Sequence, residues 1–148
     1  MRVAIATLVL SAIAACAPAA PSGAATRPEG LTAPIPDDIG IRITEGHNNQ
    51  TVVVPVGQAF AVALVGIPTA GYVWQTTETP PFVERTGEAG GPTHRDQLQP
   101  GFTGGSHWEV QFFRATRAGR GALKLEQRRP WEKDTPPAQT FSVTIDAQ

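Results

Sequence analysis

Apolar residues that alternate with polar or small ones leave this chain few folds to choose from. Ile39, Ile41 and Ile43 keep a period of two, as do residues 51–54, 60–65 and 72–76; so do Trp108, Val110 and Phe112, then Leu123 and Leu125, then Phe141, Val143 and Ile145. That period turns one side of an extended strand into a core and the other away from it. Turn chemistry separates the runs at Gly46-His47-Asn48-Asn49, Pro55-Val56-Gly57, Pro80-Pro81, residues 88–105, Arg117-Ala118-Gly119 and residues 129–137. No window carries a helical stripe. The pattern predicts an all-β domain, an antiparallel β-sandwich of seven to eight short strands in which two sheets each bury one face. Phe112-Phe113 breaks the alternation, because neighbours on a strand face opposite sides; a bulge or a second exposed hydrophobe is expected there.

The start of the chain follows a different logic. Arg2, the apolar run 3–13 and the small pair Ala14-Ala15 have the order of a secretory signal, n-region, h-region and cleavage site. The run is too short to remain as a bilayer-spanning helix. Ile13-Ala14-Ala15-Cys16 resembles the lipobox of bacterial lipoproteins, in which the cysteine is lipidated and becomes the mature first residue. A plain secretory signal with an incidental cysteine is the alternative. Residues 1–15 are thus read as a lipoprotein signal peptide. Residues 16–36 are read as the lipidated Cys16 followed by an Ala/Pro-rich tether, with prolines at 18, 21, 28, 34 and 36 and too little apolar surface to offset the entropy of ordering. Residues 37–148 have the size of one domain. The expected location is the cell envelope, through a lipid anchor in a bacterial membrane. Ala17 after the cysteine resembles the sorting pattern for the periplasmic side of the outer membrane.

Charge and cysteine content narrow the chemistry. Twelve Lys and Arg stand against 13 Asp and Glu, and loss of Arg2 with the signal leaves a net charge of −2, too small to argue for nucleic acid. Cys16 is the only cysteine, so the folded part has neither a disulfide nor a thiol nucleophile. His47, His94 and His107 share no metal-ligand spacing, and no cofactor is expected. Ser106-His107 with Asp96 nearby does not make a hydrolase site, since no nucleophile elbow accompanies it, and an enzyme is not expected. The basic residues Arg114, Arg117, Arg120, Lys124, Arg128 and Arg129 are read as decorating a solvated sheet face, with steering of an acidic partner or contact with anionic head groups as the alternative.

Three loops carry the remaining signal. Gly66-Ile67-Pro68-Thr69-Ala70-Gly71-Tyr72 joins two strand-like runs. Pro68 fixes its own φ and biases Ile67 toward extended backbone, while Gly71 admits a geometry that a β-carbon penalises. Such a turn is stiff, loses little entropy on docking and suits a cleft; an ordinary Pro-Gly turn is the plainer reading. Pro100-Gly101-Phe102-Thr103-Gly104-Gly105 precedes the Trp108 strand, and Gln127-Arg128-Arg129-Pro130-Trp131-Glu132 follows the Leu123 strand. In an antiparallel sandwich, loops entering alternate strands gather at one end. Trp131, set among polar residues, is either an exposed contact residue or a cap folded onto the sandwich edge.

In order and spacing, Pro68-Thr69-Ala70-Gly71-Tyr72-Val73-Trp74, then Thr103-Gly104-Gly105-Ser106, then Arg128-Arg129-Pro130-Trp131 resemble the chagasin family of cysteine peptidase inhibitors. The likeness runs from about residue 50 to residue 145. It implies an immunoglobulin-like sandwich that reversibly blocks papain-like cysteine peptidases without covalent attachment. Carried over by position, Pro68, Thr69, Ala70, Gly71 and Tyr72 form the central wedge, Gly104 and Gly105 a flanking loop laid along the cleft, and Arg129, Pro130 and Trp131 a grip on the opposite wall. The implied partner is a papain-like peptidase met by a monomer. Ile67 stands where the family has Asn and Ala70 where it has a second Thr; the first glycine of the flanking loop is either displaced to Gly101 by an inserted residue or absent, with Phe102 in its place. A domain that has kept the loops while binding another envelope protein is the competing function.

Overall fold

The computed structural model describes residues 30–148; the signal-like residues 1–15, Cys16 and the tether through residue 29 lie outside them. Eight strands follow in order: β1 Ile41–Ile43, β2 Thr51–Val54, β3 Ala59–Gly66, β4 Val73–Glu78, β5 Val83–Pro92, β6 His107–Ala115, β7 Gly119–Arg128 and β8 Gln139–Ala147. They form two four-stranded sheets, β1-β3-β6-β5 and β2-β8-β7-β4. The regular elements among the described residues other than strands are 3₁₀ turns.

The alternation sorts residues to faces as expected. Phe60, Val62, Leu64 and Phe113 of the first sheet meet Leu123, Leu125, Phe141, Val143 and Ile145 of the second in one buried core. Phe60 and Phe113 stack with ring centroids 5.5 Å apart. Each such side chain contributes roughly 1.5–3 kcal/mol on leaving water, which makes this layer the main source of stability.

Three features depart from the sequence reading. The first is pairing direction. β3, β5 and β6 run antiparallel, as do β4, β7 and β8, but β1 lies parallel to β3 and β2 parallel to β8. The reason is a sheet switch. After β1 the chain turns through Glu45–His47 and Asn49, a non-glycine residue at φ 60, and crosses to the other sheet. Ser142 N–H donates to Asn48 Oδ1 at 2.9 Å and Asn49 N–H to Ser142 O at 2.6 Å, fixing the landing point of β2 beside β8.

The second departure is β5, most of which falls in or beside the stretch expected to be a break. Glu84, Arg85, Thr86 and Glu88 are exposed, and Gly87, Gly90, Gly91 and Pro92 are poor strand formers. The strand exists because β6 supplies a complete hydrogen-bonding partner, and it sits at a sheet edge, where proline and charge are tolerated. The irregularity expected at Phe112-Phe113 appears here, on the facing strand: the register shifts between Arg85 and Gly87 opposite those two rings. Phe113 enters the core and Phe112 the other face.

That other face is the third departure. Ala61, Ala63 and Val110 are buried on the outside of the first sheet, where Ile39 covers them and Ala33, Ile35, Trp108 and Phe112 pack alongside. Residues 30–36, read from composition as tether, are therefore the covering layer. Leu31, Ala33 and Ile35 are partly buried while Thr32, Pro34 and Pro36 are exposed, a strand-like alternation written in a proline-rich segment. The folded unit includes these residues as well as 37–148.

Candidate functional site

Strand register decides which loops share an end. Gly66 at the close of β3 and Pro92 at the close of β5 both pair with His107 at the start of β6. In the second sheet Val73 pairs with Arg128 and Gln127 with Gln139. The β3–β4, β5–β6 and β7–β8 loops consequently emerge together, as expected for the three loops read from sequence.

The first loop closes on itself. Ile67 N–H donates to Tyr72 O at 3.0 Å and Tyr72 N–H to Ile67 O at 3.2 Å, so the loop stands on a two-residue bridge. Pro68–Ala70 form one 3₁₀ turn with Gly71 N–H donating to Pro68 O at 2.9 Å, and Gly71 ends it in the left-handed region at φ 84. Pro68, Thr69 and Ala70 are exposed at the tip. Both bonds of the bridge are backbone to backbone, so the loop closes without a side chain at position 67, and Ile67 is left 44% exposed.

The third loop is built onto the first. Arg129 Nε donates to Ala70 O at 3.0 Å, its guanidinium carbon lies 4.5 Å from the Tyr72 ring centroid, and Nη1 donates to Glu132 Oε1 at 2.9 Å. The Glu132 hydrogen bond pushes the Arg129 pKa further up, so the cation persists at any working pH. Arg129, read from sequence as part of a grip on a partner, also braces the third loop against the first. Trp131 remains 67% exposed, yet its indole stands over Gly71: a β-carbon there would come 2.2 Å from Trp131 Cη2. Exposure, rather than a cap on the sandwich edge, is what the structure gives it. Pro130 beside it is also exposed.

The second loop is held separately. Gln97 Oε1 accepts from Thr93 N–H at 2.7 Å and His94 N–H at 2.9 Å, while its Nε2 donates to Ser106 O at 2.7 Å. Thr93 and Ser106 hydroxyls meet at 2.8 Å, so Ser106 fastens the loop base. Gly101, Gly104 and Gly105 all have positive φ, and a β-carbon on Gly105 would lie 2.7 Å from Gln97 Nε2. Leu98 and Phe102 project outward, 66% and 46% exposed.

Beneath the loops, Glu109 of β6 ties the two sheets. Its Oε2 accepts from Trp74 N–H at 2.8 Å, and Oε1 lies under Gly66, where a β-carbon would clash at 1.7 Å. Burial raises the Glu109 pKa; the Trp74 hydrogen bond opposes this, Glu88 adds to it and His107 lowers it. Trp74 Nε1 and Gln127 Nε2 both donate to Val65 O, at 2.9 and 3.2 Å. Gln97, Glu109, Gln127 and Glu132 are positioning residues to which motif reading gave no role. Gln97 alone left a trace, standing three residues after the turn-opening His94, where a Gln side chain reaches back to the backbone.

The basic residues are not a free patch. Arg120 pairs with Asp146, Lys124 with Glu78, Arg128 with Glu126 and Arg129 with Glu132, while Arg114 and Arg117 donate to the carbonyls of Gly57 and Pro81.

A sandwich with three fastened loops at one end, tipped by exposed Thr69, Phe102 and Trp131, has the form of a module that presents preorganised loops to another protein. The family model "Chagasin family peptidase inhibitor I42" matches residues 53–145, and the chain belongs to that family. Amoebiasin-1 of Entamoeba histolytica is 30% identical over 107 residues, covering 72% of this chain and 98% of that protein. Chagasin of Trypanosoma cruzi is 29% identical over 110 residues, covering 72% and 96%. Among solved structures, a cysteine protease inhibitor of Entamoeba histolytica, EhICP2, superposes with a TM-score of 0.63 at 18% identity over 73% of this chain and 95% of that one. The solution structure of Amebosin superposes with a TM-score of 0.57 at 29% identity over 73% and 97%. The family is one of inhibitors, not enzymes, in keeping with the sequence reading. Residues 30–52 lie outside the matched segment.

Proposed function

We propose that the three loops enter the active-site cleft of a papain-like cysteine peptidase and block it reversibly, without covalent attachment. The observation that carries this reading is the mutual bracing of Ala70, Gly71 and Tyr72 by Arg129 and Trp131, which fixes an exposed Pro68-Thr69-Ala70 tip before any partner arrives. Pro68, Thr69, Ala70, Gly71 and Tyr72 form the wedge. Gly104 and Gly105 offer backbone to one cleft wall, since glycine allows the closest approach. Pro130 and Trp131 meet the opposite wall, with Trp131 the main anchor and Arg129 holding anchor and wedge together. Interfaces of this kind bury on the order of 1,600 Å² in total, which three adjacent loops can cover.

A peptidase whose catalytic Cys is replaced by Ala tests the reading. It should bind about as tightly as the active form, and the inhibitor should be recovered from the active enzyme with unchanged mass. Binding that needs the thiol, or an inhibitor found cut, contradicts it. The competing function, an Ig-like domain for another envelope partner, has no observation in its favour beyond Ile67 and Ala70, and the backbone bridge accounts for Ile67.

The chain's setting is proposed as well: a monomer of bacterial origin, anchored in the cell envelope through lipid on Cys16. Arg2, the apolar run 3–13 and Ile13-Ala14-Ala15-Cys16 support this. Detergent-phase partitioning and palmitate labelling in a bacterial host, both lost in Cys16→Ala, are the expected outcome; an unlabelled aqueous parent contradicts it.

A further inference from the structure

Residues 30–36 run across the outer face of the first sheet and end on the flanking loop, and they do so outside the family-matched segment. Leu31 N–H donates to Thr93 O at 2.7 Å, and Trp108 Nε1 donates to Leu31 O at 2.7 Å. Gly30 forms an antiparallel bridge with His94, the residue that opens the 3₁₀ turn Arg95–Leu98 of the flanking loop. Farther along, Pro34 packs on Gly91 of β5, where an added β-carbon would sit 3.4 Å from Pro34 Cγ, and Ala33 and Ile35 join the outer apolar cluster.

We infer that this segment is a strap that positions the flanking loop for peptidase binding, an inhibitory element additional to the three loops; the inference rests on the cleft-blocking function proposed above. The division of labour at the site motivates it. The first and third loops hold each other through Arg129 and Trp131. Among the described residues the flanking loop makes no hydrogen bond to either of them; its base is fastened by its own Gln97, Thr93 and Ser106, and by the strap. Three glycines at positive φ give it conformational freedom that must be removed before Leu98 and Phe102 can be presented in one place. The strap pins the entry to that loop at Thr93 and His94 and packs against the indole of Trp108 at its exit.

Leu31→Pro removes the N–H given to Thr93 O, and Trp108→Phe removes the N–H given to Leu31 O while keeping a ring. In the full chain, inhibition of papain should weaken about tenfold in each, the size associated with losing a fixed, partly buried hydrogen bond. Combining either change with Phe102→Ala should add little further loss, whereas combining it with Trp131→Ala should multiply the two effects. Amides of residues 94–105 should exchange faster, with those of β7 and β8 unchanged. Trp108→Phe keeps the test open should Leu31→Pro fail to fold. Inhibition within about twofold of the parent in a folded variant, or equal coupling to Phe102 and Trp131, overturns the strap. A parent chain that does not inhibit at all overturns the proposed function instead, so the two failures are distinct.

Discussion

At Gly71 two requirements meet in one residue: a φ of 84 and a surface flat enough for the Trp131 indole. Gly71→Ala should lower stability by roughly 1–2 kcal/mol through backbone strain alone. It should weaken inhibition further by pushing Trp131 away; melting curves and inhibition constants measured side by side separate the two losses. Unchanged inhibition would mean that the indole need not stand where it does. Arg129→Lys keeps the charge but loses the planar fork that reaches Ala70 O, Glu132 and the Tyr72 face together. We expect inhibition to fall about tenfold with little change in the melting temperature, because the pair is solvent-accessible. A lysine variant as potent as the parent would reduce Arg129 to a charge. Residues of this kind differ in legibility. Gly71, Gly104, Gly105 and Trp131 stand out because their side chains, or lack of them, are unusual for their setting. Gln97, Glu109 and Glu132 do not, because a polar residue in a polar stretch gains meaning only when the fold shows what faces it.

Elements show the same division. The strands of the core were legible from alternation, because each has one wet or small-residue face. β5 was not, since its apolar side is almost empty and its pairing comes from β6; residues 30–36 were not, since proline-rich composition hid a three-residue alternation of Leu31, Ala33 and Ile35. Parallel pairing of β1 and β2 depends on a sheet switch that no local pattern encodes. Glu109 is where the elements join, linking β6 to Trp74 of β4 below the first loop. Its folded pKa is raised above the unfolded value of 4.5, mainly by burial, so the stability it contributes is complete below that value and is lost as pH rises through the folded one. Glu109→Gln still offers an oxygen to Trp74 N–H and cannot ionise. Its unfolding midpoint should vary less than the parent's from pH 4.5 to neutrality. Identical pH slopes in the two proteins would show that Glu109 does not titrate in that window.

Across the whole molecule, the sandwich serves as a stiff handle with its contacts at one end. The strap leaves it there too, since Gly30 pairs with His94 beside the flanking loop. If Cys16 carries lipid, the chain from there to Gly30 reaches at most about 50 Å, so the loops would work close to the membrane surface. The central claim is that this end closes a peptidase's active site, and one titration tests it most directly: active-site-calibrated papain against the full chain and its Trp131→Ala variant. The parent should inhibit reversibly and tightly, and the variant should lose about 2 kcal/mol, roughly thirtyfold, while Lys133→Ala on the loop rim stays within about threefold. A folded parent without effect at micromolar concentration, or a Trp131→Ala variant as potent as the parent, would contradict the account.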